Sequence, residues 1–110
     1  MLEDIKVSEL IKLVNTLENK EKNVIGFWEI GKSYFIRTVT MHLIGKLKNL
    51  TNKELLLENA VWVADSGRFH DALKTGSLSE VEPFVTNVIL NRECIVDSCE
   101  WIHKIPTEQK

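Results

Sequence analysis

The spacing of apolar residues divides the 110-residue chain into a helical start and a strand-rich remainder. Over residues 2–21 apolar side chains recur every three or four positions, as at Leu10, Leu13 and Leu17. This is the period of an amphipathic helix, whose apolar stripe must be covered either by the chain's own sheet or by a second subunit. We therefore predict an N-terminal helix over 1–22 that packs on the sheet or lies at an oligomer interface.

From Val24 to Asp65 the apolar period changes to two, which is typical of β-strands. Residues 34–50 are predicted to form either one long bent strand or two successive strands, and a return strand follows a turn. Gly45 lies inside this pattern, where a glycine usually marks a bulge or a bend. Asn59 and Ala60 are expected to interrupt the return strand. The predicted segments are 34–40, 41–50, 51–54 (turn) and 55–64.

The second half of the chain predicts a short helix and further strands. Ser66 is a suitable N-cap for a helix that runs through Lys74, and Gly76 a suitable stop. Strands at 87–90 and 94–96 are predicted to form a hairpin, and a polar tail covers 106–110. The expected fold is α+β, with a single domain over 1–110. A strongly bent antiparallel sheet of about five or six strands spans 23–105 and contains the short second helix, and the N-terminal helix precedes it.

Composition and charge exclude several functional classes. The chain is 44% apolar and 27% charged, as expected of a globular domain. A net charge of −2 argues against a protein that coats nucleic acid, although a small phosphate-bearing ligand needs only a few local cations. No apolar run approaches the ~20 residues of a membrane span, and no signal-peptide pattern is present. We expect a cytoplasmic protein without a membrane partner.

Motifs for metal binding and catalysis are missing from the sequence. Cys94 and Cys99 are expected to be buried thiols rather than a disulfide, because the expected compartment is reducing. The three histidines, His42, His70 and His103, are scattered, so no metal site or cofactor is predicted. No nucleophile elbow, phosphate-binding glycine loop or Ser/His/Asp set is found. We expect a protein that is not an enzyme.

The turn around Gly67 is the best local candidate for a ligand site. A helix N-terminus offers unpaired backbone N–H groups and a dipole that favours an anion. Gly67 would let a ligand approach the backbone, Arg68 could contact a phosphate, and Phe69 offers a surface for a base. The alternative is a capped helix in which Arg68 pairs on the surface with Asp65 or Asp71.

Arg37 is the second candidate, because it lies in a strand among residues that otherwise look like core. Strand alternation places Thr38 and Thr40 on one face and Arg37 on the other. A mid-strand arginine either extends to solvent or binds an anion. Aromatic residues such as Trp62 would mostly be core, with one or two available to stack on a nucleobase.

Several of these segments together resemble a known family of small phage and prophage proteins. The resemblance covers about 75 residues, from Tyr34 to the C-terminus, and leaves the N-terminal helix out. The motifs in chain order are 35–40 (FIRTVT), 45–47 (GKL), 60–69 (AVWVADSGRF), 72–76 (ALKTG), 80–84 (EVEPF), 95–97 (IVD) and 106–110 (PTEQK). The chain is similar here to the first described anti-Thoeris sponge family.

This resemblance implies a non-catalytic immune-evasion protein that works in the host bacterial cytoplasm. Such sponges capture a cyclic ADP-ribose isomer made by the bacterial Thoeris defence system, and some also bind cyclic di- or trinucleotides. They assemble as dimers or hexamers. This chain departs from the pattern at 91–94, where a glycine-rich turn is expected. The predicted ligand-binding residues are Arg37, Thr38, Thr40, Trp62, Asp65, Ser66, Gly67, Arg68, Phe69 and Arg92.

An alternative from a different class is an Sm-like protein. The segments 43–47 and 55–59, followed by a later hairpin, look like the bent sheet of that architecture. In Sm-like proteins the bent sheet comes after an N-terminal helix. These proteins form rings and bind RNA. The acidic balance and the helix inserted after Asp65 argue against this alternative.

Overall fold

The computed structural model describes residues 26–110, so the predicted helix over 1–22 lies outside the described residues. The described part is α+β, with six strands, one α-helix and a 3-10 turn. Its elements are β1 (Ser33–Thr38), β2 (His42–Leu50), β3 (Glu54–Asp65), α1 (Phe69–Thr75), β4 (Glu80–Pro83), β5 (Val88–Asn91), the 3-10 turn Arg92–Cys94 and β6 (Ile95–Glu100). Within 26–110 no helix is long and apolar enough to cross a membrane.

All strand pairs are antiparallel, and the sheet is strongly bent, as predicted. β4 and β5 both pair with β3, after which the order is β2, β1 and β6. The predicted hairpin between β5 and β6 is wrong, because these strands lie at opposite edges of the sheet. Only the 3-10 turn Arg92–Cys94 joins them, and three residues span at most about 10 Å. The sheet therefore curls around, without closing, until its edges approach each other.

Gly45 marks a bulge between β2 and β3, as the sequence predicted. The pairing register shifts between Ile44 and Lys46, and Asn59 on the facing strand has a positive φ of 53°. A Cβ atom at position 45 would lie 3.0 Å from the Cβ of Leu57. Glycine is therefore needed at this position because the two strands approach closely where β3 carries its extra residue.

Alternation along the strands builds a core on each side of the sheet. One side, which we call the helix face, packs against α1 and the segment after β6. Its buried residues are Phe35, Ile44, Val61, Val63, Ala72, Leu78, Val81 and Trp101. The opposite face buries Tyr34, Ile36, Leu43, Leu47, Leu55, Leu57 and Ala60. Both faces are apolar because the curled sheet packs on both sides.

The helix α1 is shorter than predicted and starts later. Its N-cap is Arg68, with no side-chain cap, whereas Ser66 donates its hydroxyl to the Gly67 carbonyl oxygen. The prediction of Ser66 as N-cap is therefore wrong. The predicted stop at Gly76 is confirmed, with φ at 79°. A Cβ atom there would also meet the ring of His103 at 2.7 Å.

The last two residues of the C-terminal segment 106–110 form hydrogen bonds with β4. The Lys110 N–H donates to the Val81 carbonyl at 3.0 Å, and the Val81 N–H donates to the Lys110 carbonyl at 3.1 Å. The Gln109 side chain also donates to Glu82 at 3.1 Å. This segment, predicted from its polarity as a tail, therefore pairs with the outer edge of β4.

Candidate functional site

Arg37 is paired with a carboxylate that lies 60 residues away in the sequence. The register of β1 with β6 places Arg37 opposite Asp97, so that both side chains project from the helix face. Arg37 Nε donates to Oδ1 of Asp97 at 2.7 Å, and Nη2 bonds to Oδ2. Such two-point pairs fix the guanidinium plane as well as its position. The hydrogen bond from Arg37 lowers the pKa of Asp97 below its usual 3.8.

Phe69, the first residue of α1, contacts the same guanidinium group. The Cζ atom of Arg37 lies over the Phe69 ring, 4.9 Å from its centroid, within the range of a cation–π contact. Phe69 also meets Phe35 edge to face, with the ring centroids 5.6 Å apart. This contact attaches the start of α1 to β1. The structure thus brings together Arg37 and Phe69, which the sequence predicted in separate segments.

His42 completes a group that we call the Arg37 cluster: Arg37, His42, Phe69 and Asp97. In the β1–β2 hairpin His42 is the partner of Arg37, and its ring centroid is 5.8 Å from that of Phe35. No role was predicted from the sequence for His42 or Asp97. The tight turn after Thr38 sets the pairing of Arg37 with His42, so recognising that turn in the sequence would have identified His42. Asp97 needed the pairing of β1 with β6, which no local pattern specifies.

The turn after β3 satisfies one of its own polar groups. The Gly67 N–H donates to Oδ1 of Asp65 at 2.8 Å. This N–H, which was expected to bind an anionic ligand, is therefore already bonded to a carboxylate of the protein. Gly67 has φ at 71°, and a Cβ atom there would lie 2.8 Å from the hydroxyl of Ser79. Glycine at this position is explained by the turn and by its packing on Ser79.

Arg68 is exposed and directly precedes Phe69 in the chain. Its side chain forms no hydrogen bond or ion pair with any residue in 26–110, so the alternative pairing with Asp65 or Asp71 is not seen. A cation with no ion-pair partner among these described residues is therefore the chain neighbour of the residue whose ring contacts Arg37.

The other predicted residues lie outside this cluster. Thr38 is buried and uses its hydroxyl in the β1–β2 turn, donating to the Met41 carbonyl at 2.7 Å and accepting from the Met41 N–H at 3.0 Å. Thr40 is exposed in the same turn. Trp62 pairs with Leu43 and therefore projects from the opposite face.

Arg92 belongs to another part of the molecule. Its Nη1 donates to the carbonyl of Thr51 at 2.6 Å, and its N–H donates to the carbonyl of Lys53 at 2.8 Å. The side chain lines a cleft of about 520 Å³ together with Trp28 and Tyr34. The structure therefore does not place Arg92 with the Arg37 cluster.

Cys94 and Cys99 are free thiols, and Cys99 is exposed although burial was expected. Partial desolvation, with Asp97 nearby, raises the pKa of the Cys99 thiol and so disfavours the reactive thiolate. Residues 26–110 contain no group of three or more His, Cys, Asp or Glu side chains able to hold a metal ion.

No known protein family, curated protein or solved structure matches the chain.

Proposed function

We propose that this protein binds and sequesters a cyclic ADP-ribose-type signalling nucleotide without cleaving it, as anti-Thoeris sponges do. The observation that carries the proposal is the Arg37 cluster, whose Phe69 directly follows Arg68, a cation that forms no ion pair within residues 26–110. A nucleotide presents a planar base and negatively charged phosphates. Stacking on such a planar surface contributes ~1–3 kcal/mol per base, and a guanidinium forms charge-assisted hydrogen bonds with phosphate.

The state of the charged groups supports binding without cleavage. Hydrolysis of a pyrophosphate or glycosidic bond needs a metal ion or a positioned acid–base pair. Asp97 accepts two hydrogen bonds from Arg37, and its lowered pKa makes it a weak base. A sponge instead depends on tight binding and slow dissociation.

The proposal extends to the wider properties implied by the resemblance. We propose a phage-encoded protein that acts in the cytoplasm of the bacterial host and assembles as a dimer or hexamer. Cyclic di- and trinucleotides are further candidate ligands. Light scattering of the full chain should give a multiple of the protomer mass of 12.7 kDa, and a monomer at tens of micromolar would contradict the assembly.

The test is calorimetry of the full-length protein with cyclic ADP-ribose isomers, with linear ADP-ribose and a short RNA as comparisons. The saturated protein is then incubated for hours, heat-denatured, and its supernatant chromatographed. We expect tight binding of one cyclic isomer and recovery of that isomer intact in near-stoichiometric yield. Cleaved nucleotide in excess of protein would indicate an enzyme. Binding of RNA alone would favour the Sm-like alternative.

A further inference from the structure

Arg37 contacts Phe69, the residue that follows Arg68 in the chain, and the two arginines offer different chemical groups to a ligand. We propose that the Arg37 cluster is the nucleobase subsite, where Arg37 presents the plane of its guanidinium group to the base and Asp97 holds that plane in position. The phosphates of the ligand then bind near Arg68. This inference rests on the proposed function and assigns parts of the nucleotide to parts of the site.

The hydrogen bonds of Arg37 argue against a phosphate at this position. Asp97 accepts from both Nε and Nη2, which form the fork that would otherwise clasp a phosphate. A phosphate approaching Arg37 would also be repelled by the Asp97 carboxylate a few ångströms away. Arg68 has no such neighbour bonded to it within residues 26–110.

The exposed surface of Arg37 suits a planar ligand. Phe69 contacts the guanidinium on one side, yet 39% of the Arg37 side-chain surface remains accessible. Guanidinium groups stack on nucleobases, and a plane fixed by a two-point ion pair loses little conformational freedom on binding. Nη1 has no hydrogen-bond partner among residues 26–110 and can donate to a carbonyl or ring nitrogen of the base.

The neighbouring side chains extend this surface on the helix face. His42 adds a second planar ring next to Arg37 in the hairpin pairing. Phe69 itself remains 38% exposed. Aromatic and guanidinium planes recognise a base mainly through its faces, so we expect the base to supply a large share of the affinity.

The test compares Arg37→Lys and Asp97→Asn with the unchanged protein, using AMP, ribose 5-phosphate and cyclic ADP-ribose isomers as probes. Lysine keeps the charge of Arg37 but removes the plane, so nucleotide affinity should fall about tenfold while ribose 5-phosphate affinity stays unchanged. Asp97→Asn should weaken AMP binding severalfold. Glu58→Gln, which alters the Lys46–Glu58 pair on β2 and β3, is the control and should have no effect.

Proton NMR of the bound base gives the deciding readout. The base protons should show nuclear Overhauser effects to the side chain of residue 37 in the unchanged protein, and these should weaken in Arg37→Lys. Normal nucleotide binding without those effects in the unchanged protein would overturn the base subsite but leave the proposed function standing. Tighter ribose 5-phosphate binding by Asp97→Asn would also overturn it, because Asp97 would then occupy a phosphate position. If the unchanged protein binds no nucleotide, both proposals fail.

Discussion

Arg37 and Arg68 differ in what already contacts them. Arg37 lies within a strand, and the register of the sheet gives it a carboxylate from β6 and an aromatic ring from α1. Arg68 precedes a two-turn helix, and nothing in residues 26–110 pairs with its side chain. A strand residue acquires partners from neighbouring strands, whereas a residue at the start of a short helix faces solvent.

Because of this difference, we expect Arg37 and Arg68 to contribute differently to stability and to ligand binding. The Arg37–Asp97 pair is substantially exposed, with 49% of the Asp97 side chain accessible, so its contribution to stability is expected to be small. Its main effect is to orient the guanidinium group. No group in residues 26–110 accepts a hydrogen bond from the Arg68 guanidinium, so its loss should affect binding more than folding.

The largest effect is expected from Arg68→Ala. A charged contact to a phosphate contributes ~1.5–3 kcal/mol, so nucleotide affinity should fall roughly ten- to a hundredfold. The melting temperature should not change, because the exposed side chain forms no hydrogen bond or ion pair with residues 26–110. Calorimetry and thermal melts measure both. Arg68→Lys, which keeps the charge, should recover part of the affinity, and an unchanged affinity in Arg68→Ala would place the phosphate site elsewhere.

A smaller effect is expected from Phe69→Leu. The substitution removes the ring that contacts Arg37, and a cation–π contact at an exposed site contributes ~0.5–1 kcal/mol. Nucleotide affinity should therefore fall about two- to fivefold. Phe84→Leu is the matched control, because Phe84 is equally exposed (39%, against 38% for Phe69) but lies outside the Arg37 cluster. An equal loss of affinity in both variants would contradict a specific role for Phe69.

The smallest effect concerns acid titration of the ion pair. Because Arg37 lowers the pKa of Asp97, the stabilisation is fully present above the unfolded value near ~3.9 and is lost as pH falls through the lower folded pKa. Binding should therefore not depend on this group between pH 5 and pH 8. Carboxyl carbon NMR should give a midpoint for Asp97 below 3.8, and Arg37→Gln should raise it. A midpoint at or above 3.8 in the unchanged protein would mean that the pair does not form in solution. His42 on β2 and Cys99 on β6 are further titratable groups near the pair.

The sequence by itself determined the local features of the fold. The period-two pattern predicted the strands, Gly45 predicted the bulge, and Gly76 predicted the end of α1. The strand pattern and the left-handed backbone at Gly76 depend on residues within a few positions of each other. The tertiary contacts of the two glycines, with Leu57 for Gly45 and with His103 for Gly76, come from the fold.

Only the tertiary structure decided which side chains meet. The sequence predicted a β5–β6 hairpin because two short strands joined by a turn have the local pattern of a hairpin. In the curled sheet β6 pairs with β1 instead, and β5 pairs with β3. The pairing of β6 with β1 brings Asp97 to Arg37, and the pairing of β2 with β3 places Trp62 on the opposite face. Alternation specifies which residues of a strand share a face, but the partner strand and its register depend on the packing of both faces together. For this reason the sequence identified Arg37, and the fold supplied its carboxylate.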